Sequence, residues 1–124
     1  MKNLVQEENS LSFPSKIHKI RNLRDFRKLV ERGRKIEFKF GFVRVCYNDM
    51  DVLRVAVSVS KKFSKKSVVR NRVKRIITEI LRNKKHQLKS FDLWIHIKSF
   101  VEPELIKEDI LVFTSSLRVR ESDY

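Results

Sequence analysis

Leu23, Phe26, Leu29 and Val30 recur at the three-to-four spacing of one helix face. Asn22 precedes them as an N-cap and Gly33 follows as a C′ residue, so the pattern predicts a helix over about 22–32. Its other face carries Arg21, Arg24, Arg27, Lys28 and Arg32. From Ile36 the period drops to two. Ile36, Phe38, Phe40 and Phe42 alternate with Glu37, Lys39 and Gly41, after which the apolar parity moves to Val43, Val45 and Tyr47. A strand does not change faces unaided. Either a bulge lies near Gly41, or both faces are partly apolar and one of them binds something.

Asn48-Asp49-Met50-Asp51 reads as a turn, and Leu53, Val55, Val57 and Val59 then alternate cleanly with Arg54, Ala56, Ser58 and Ser60. After the basic connection Lys61-Lys62-Phe63-Ser64-Lys65-Lys66-Ser67, a second helix is predicted over about 67–86. Val69, Val73, Ile76, Ile77 and Ile80 make its apolar stripe. Arg70, Asn71, Lys74, Arg75, Thr78 and Arg82 fall on the opposite face, with Arg72 and Glu79 on the flank. Phe91, Leu93, Ile95 and Ile97 form a further strand, and Pro103 opens a last helix over about 103–117. The elements run αβββαβα. This order predicts an α+β fold in which three helices pack on one sheet of about four strands. It makes a single domain over 16–117, with a flexible segment at 1–15 and a tail at 118–124.

Charge adds a partner to this picture. The chain of 124 residues carries a formal net charge of +14, and the excess is concentrated in two places. Residues 61–89 hold twelve basic residues and one acid; residues 16–44 hold eleven and three; the remainder is slightly acidic. So lopsided an excess predicts a polyanionic partner, either nucleic acid or an anionic membrane surface. The single cysteine, Cys46, excludes an internal disulfide and a cysteine zinc cluster. No apolar run reaches the roughly 20 residues of a membrane span, and the first fifteen residues lack a signal-peptide pattern. Together these features suit a cytoplasmic protein. Two glycines, Gly33 and Gly41, leave no glycine-rich phosphate loop.

Two constellations point to nucleic acid. Arg70-Asn71-Arg72-Val73-Lys74-Arg75 opens an amphipathic helix directly after a basic loop, where several cations can meet several phosphates. Phe38, Phe40 and Phe42 lie among Lys39 and Arg44, and Phe26 lies on the basic first helix. Rings on a sheet beside cations suit unstacked bases, although phenylalanines at strand spacing also suit a core. A catalytic constellation is missing. His18, His86 and His96 are not at metal-ligand spacing, Ser58 and Ser60 have no histidine near them in sequence, and no carboxylate cluster suited to two metal ions is present.

Ser58-Val59-Ser60-Lys61-Lys62, followed by Val68-Val69-Arg70-Asn71-Arg72-Val73-Lys74-Arg75 and Glu79, closely resembles the signature of the bacterial ribonuclease P protein subunit. Phe13-Pro14, the Asp25-Phe26 helix ending at Gly33, and Phe91-Asp92-Leu93-Trp94-Ile95 extend the resemblance over about 13–116. It implies an α-β sandwich of the ribosomal protein S5 domain 2-like kind, with a left-handed βαβ crossover through the Arg-Asn-Arg helix. It also implies a subunit of a ribonucleoprotein endoribonuclease that removes the 5′ leader of precursor tRNA. In that enzyme the catalytic RNA, with its Mg²⁺, does the chemistry, and the protein has no catalytic residue or metal of its own. Carried over to this chain, Arg70, Asn71, Arg72, Lys74 and Arg75 become the expected contacts to the RNA subunit. Phe26, Phe40 or Phe42, Lys61 and Lys62 become the expected leader contacts. Val30 stands where the family commonly has a second aromatic, and Thr78 where it commonly has an arginine. A generic basic RNA-binding or ribosome-associated protein is the alternative reading.

Overall fold

The computed structural model describes residues 18–117. The segment 1–15, expected to be flexible, and the tail 118–124 lie outside the described residues, as does Phe13-Pro14. The order is β1 (His18–Lys19), α1 (Leu23–Arg32), β2 (Arg34–Phe38), β3 (Gly41–Tyr47), β4 (Arg54–Val59), α2 (Ser67–Asn83), β5 (Phe91–Ile97) and α3 (Pro103–Ser116). The α+β class and the three helices are as expected. The sheet has five strands rather than about four, because the two-residue β1 precedes α1 and pairs in parallel with β4. The order is therefore βαβββαβα.

The strands lie in the order β1-β4-β5-β3-β2. β3 pairs antiparallel with both β2 and β5. β4 and β5 are parallel neighbours joined through α2, which makes the βαβ unit. One face of the sheet builds the core. Val43, Val45, Val55, Leu93, Ile95 and Ile97 are buried there together with Val73, Ile77, Ile80 and Leu81 of α2 and Ile106, Ile110 and Phe113 of α3. Each such side chain contributes about 1.5–3 kcal/mol on leaving water, so α2 and α3 are held by their apolar stripes. α2 stops at Asn83, three residues short of the expected end, and turns carry the chain on through the buried Leu88 into β5.

The parity change near Gly41 comes from no bulge, and Phe42 does fall on the face opposite Val43 and Val45. The change comes from a hairpin: Phe38 pairs with Gly41, and Lys39-Phe40 forms the two-residue turn between β2 and β3. The Phe40 ring turns inward, fully buried and stacked on Phe38 at 5.0 Å between centroids. Gly41 has φ +155°, and a Cβ there would run into the carbonyl oxygen of His96, so only glycine fits. Gly33 ends α1 for a different reason. Its φ is an ordinary −79°, but a Cβ would sit 2.5 Å from Leu29 O and 2.9 Å from Val45 O. The glycine permits the close approach of α1 to β3.

The opposite face of the sheet is covered only in part. By register it presents Phe42, Arg44 and Cys46 of β3, Asp92, Trp94 and His96 of β5, and Arg54, Ala56 and Ser58 of β4. Among the described residues, α1 is the helix packed on it. Among the described residues no helix is long and apolar enough to cross a membrane.

Candidate nucleic-acid interface

α1 is set in place by its own first turn and by one arginine. Asn22 Oδ1 accepts from the backbone N–H of Asp25 at 2.8 Å, and Asn22 Nδ2 donates to Asp25 Oδ2 at 2.8 Å. A cap of this kind stabilises a helix by about 1 kcal/mol. Arg54, at the start of β4, donates Nε and Nη2 to the two carboxylate oxygens of Asp92 at 2.9 and 2.7 Å. Its Nη1 reaches Asp25 Oδ2 at 2.8 Å. Asn48 Nδ2 also donates to Asp92, at 2.7 Å. The chain Asp25–Arg54–Asp92 therefore bolts α1 to β4 and β5. The Arg54 guanidinium holds the Asp25 carboxyl below its ordinary value, and the Asp92 carboxylate, ahead of Asp25, raises the basicity of Arg54.

This placement brings Phe26 over the sheet. Its ring meets Trp94 edge-on at 5.4 Å, and Phe42 meets Trp94 from the next strand at 5.2 Å, again edge-on. Such pairs contribute about 0.5–1.5 kcal/mol beyond their buried area, and here they leave three half-buried rings on one open surface. Lys35 Nζ stands 5.0 Å from the centre of the Phe42 ring, and the Arg44 guanidinium 5.6 Å from it. Phe42 is thus the phenylalanine of the open face. Phe40, one of the two alternatives for the leader contact, is removed from that face because its ring forms part of the core.

Across the outer edge of β4 stands α2. A groove of about 1130 Å³ runs between them, lined by Phe26, Ser58 and Trp94 on one side and by Asn71, Lys74 and Arg75 on the other. Thr78, Glu79 and Arg82 continue that wall, and Glu79 pairs with Arg82 at 2.6 Å. The first turn of α2 has no acidic residue and no side-chain cap, so its partial positive charge adds to that of the basic loop.

The expected RNA contacts do not all share this wall. Asn71, Lys74 and Arg75 line it, whereas Arg72 is exposed on the flank. Arg70 is half-buried and donates Nη1 to Ser64 O at 2.8 Å, so part of its work is to hold the basic loop against the helix. Lys61 and Lys62 are exposed in the turn that follows β4, which Phe63 anchors by burying its ring.

Sequence reasoning missed four residues. Arg54 appeared only as the polar phase of a strand, and Asp92 and Trp94 only within a stretch that resembles the family, with no role given to them. His96 was set aside for want of a partner, yet the parallel register of β4 and β5 places it opposite Ser58. Ser58 Oγ and His96 Nδ1 are 2.7 Å apart, and Trp94 Nε1 donates to the same Ser58 Oγ at 3.1 Å. Pairing across 38 positions leaves no trace in local spacing. Cys46 is half-buried beneath α1, where burial first and the Asp92 charge second push its thiol upward.

The structure superposes on proteins of one class. The RNase P protein of Thermotoga maritima aligns with a TM-score of 0.67 and 25% identity over 82% of this chain and 99% of that one. That of Staphylococcus aureus aligns with a TM-score of 0.69 over 84% and 100%, at 24% identity, which supports the fold alone. The fold is that of the RNase P proteins. In sequence, the Ribonuclease P family model matches residues 14–111. The ribonuclease P protein component of Clostridium botulinum (strain 657 / Type Ba4) is 46% identical over 67 residues, which is 54% of this chain and 60% of that protein. The one from Dictyoglomus thermophilum is 38% identical over 71 residues, 57% and 58% of the two chains. The chain thus matches about 60% of the length of these curated relatives, and it belongs to the ribonuclease P protein component family.

Proposed function

We propose that this chain is the RNA-binding subunit of ribonuclease P, docking on the catalytic RNA through α2 and holding the 5′ leader of precursor tRNA in the groove. The observation that carries this reading is the meeting of two surfaces. An aromatic floor (Phe26 and Trp94, with Phe42 beside them on the sheet) meets a wall of two cations and an amide (Lys74, Arg75 and Asn71) along one open groove. The rings suit unstacked bases and the wall suits phosphates. Arg72, Arg70 and the loop lysines Lys61 and Lys62 extend the charge outward for a larger RNA surface. Cleavage, with its Mg²⁺, belongs to the RNA; the protein supplies position and charge neutralisation, working in the cytoplasm.

Reconstitution tests this. The full chain, freed of nucleic acid, is combined with a bacterial ribonuclease P RNA and a precursor tRNA at limiting Mg²⁺. The expected result is 5′ cleavage that depends on both components. Cleavage by the RNA-free protein, or an RNA whose activity and substrate affinity the protein leaves unchanged, overturns the reading. Copurification chiefly with ribosomal RNA supports a generic RNA-binding role instead.

A further inference from the structure

The hydrogen-bond chain Trp94–Ser58–His96 fixes more than three side chains. The indole N–H only donates, so Ser58 Oγ accepts from Trp94. The serine hydroxyl proton then has one acceptor among the described residues, His96 Nδ1 at 2.7 Å. In the opposite arrangement, with Nδ1–H donating to Ser58, the hydroxyl proton would have no acceptor among the described residues. With Ser58 donating to Nδ1, the imidazole is neutral and carries its proton on Nε2. Burial, and then the nearby Lys98 charge, lower the basicity of His96 and favour the same neutral ring. Nε2 has no partner among the described residues and is not sealed from solvent. The ring also lies beside Phe42, 5.2 Å between centroids, on the same face as Trp94.

We propose that His96, on the open sheet face beside the groove, is a specificity-determining residue, its Nε2–H donating to an in-plane acceptor of a single-stranded nucleobase that lies against Phe42. Ser58 is the positioning residue that sets the tautomer. The ligand class is an unpaired nucleotide with an exposed base edge. The proposal rests on the leader reading above and deepens it, since an oriented donor beside a ring discriminates among bases where stacking alone does not.

The test uses the full chain and short single-stranded RNA oligonucleotides that differ in one base, with an abasic strand as reference. His96→Phe keeps a ring beside Phe42 and removes the donor. Its expected effect is a loss of about 3–10-fold for the preferred base, a flattened ranking among bases, and unchanged binding of the abasic strand. An unchanged ranking overturns the proposal, and so does an equal loss on the abasic strand, which would mark a phosphate contact. Nitrogen-15 NMR of the imidazole supplies the second readout. The wild type should show the Nε2–H tautomer, and Ser58→Ala should shift the population toward Nδ1–H. A wild-type ring protonated on Nδ1 overturns the assignment without any binding measurement. Neither readout needs the catalytic RNA, so failed reconstitution and failed base selection are distinguishable.

Discussion

Arg54 grips Asp92 with two parallel hydrogen bonds of 2.9 and 2.7 Å, and the Asp92 side chain is only 1% exposed. The pair spans β4 and β5 beneath α1, and its third contact, to Asp25, is what seats the helix. Removing Arg54 strands a buried carboxylate. Arg54→Ala should therefore lower the unfolding free energy by about 3–5 kcal/mol, whereas Glu79→Ala, which breaks an exposed pair, should change it by less than about 1 kcal/mol. Urea denaturation of both variants measures the difference. Equal and small effects would mean that α1 is held by its apolar contacts alone.

The same network sets an acid limb of stability. Asp25 titrates below its ordinary value of 3.8 in the folded chain, chiefly through its hydrogen bond from Arg54. A carboxyl depressed on folding contributes stability that is complete above its unfolded pKa and disappears as pH falls through the folded one. Asp25→Asn should thus be less stable than the wild type at neutral pH, and the gap should narrow below about pH 4. Stability curves of the two proteins against pH check this. A gap that stays constant down to about pH 2 would remove the charge from the account.

Phe40 and Phe42 are two residues apart and should fail in different ways. Phe40→Ala empties a core position and should cost about 3–5 kcal/mol of stability, with the single-strand affinity of the folded protein unchanged. Phe42→Ala removes a ring from the open face. It should weaken binding of the precursor leader by about 1–3 kcal/mol while mature tRNA binding stays the same. Thermal unfolding and paired titrations separate the two. Loss of leader affinity in a folded Phe40→Ala protein would reverse the assignment of the faces.

The contrast between those phenylalanines also shows what local pattern could and could not carry. Periodicity located every helix and long strand, because each buries one face and must repeat at 3.6 or 2 to do so. It did not place the turn within the run from Ile36 to Tyr47, since a two-residue turn made of Lys39-Phe40 has none of the usual turn residues and Phe40 points inward. The basic wall was legible because Asn71, Lys74 and Arg75 are neighbours on one helix. The floor was half legible: Phe26 and Phe42 stood out by type, whereas Trp94, His96 and Ser58 meet only through the register of β4 and β5. β1 escaped notice because two residues are too few to show a period, and its pairing is held by backbone groups of Leu53 and Val55.

The division of α2 into a groove-facing wall and a flank makes a prediction about salt. Lys74 lines the groove, and the nearest acid on the helix, Glu79, is engaged by Arg82, so the ammonium is free to neutralise a phosphate. Removing one cation from a phosphate lowers the slope of log affinity against log salt by about 0.7–0.9. Lys74→Ala should reduce the slope for catalytic-RNA binding by that amount and weaken holoenzyme assembly, without changing the thermal midpoint. Lys107 is exposed on α3, away from the groove, so Lys107→Ala serves as the control and should leave the slope intact. Arg70→Ala should behave differently from both. It removes a cation and also frees the Ser64 carbonyl that the guanidinium holds at 2.8 Å, so the basic loop should exchange its amide protons faster while α2 stays folded. Titrations at several salt concentrations, with hydrogen exchange of residues 61–66, decide the matter. If Lys74→Ala and Lys107→Ala give the same slope, α2 is not the surface that meets the RNA.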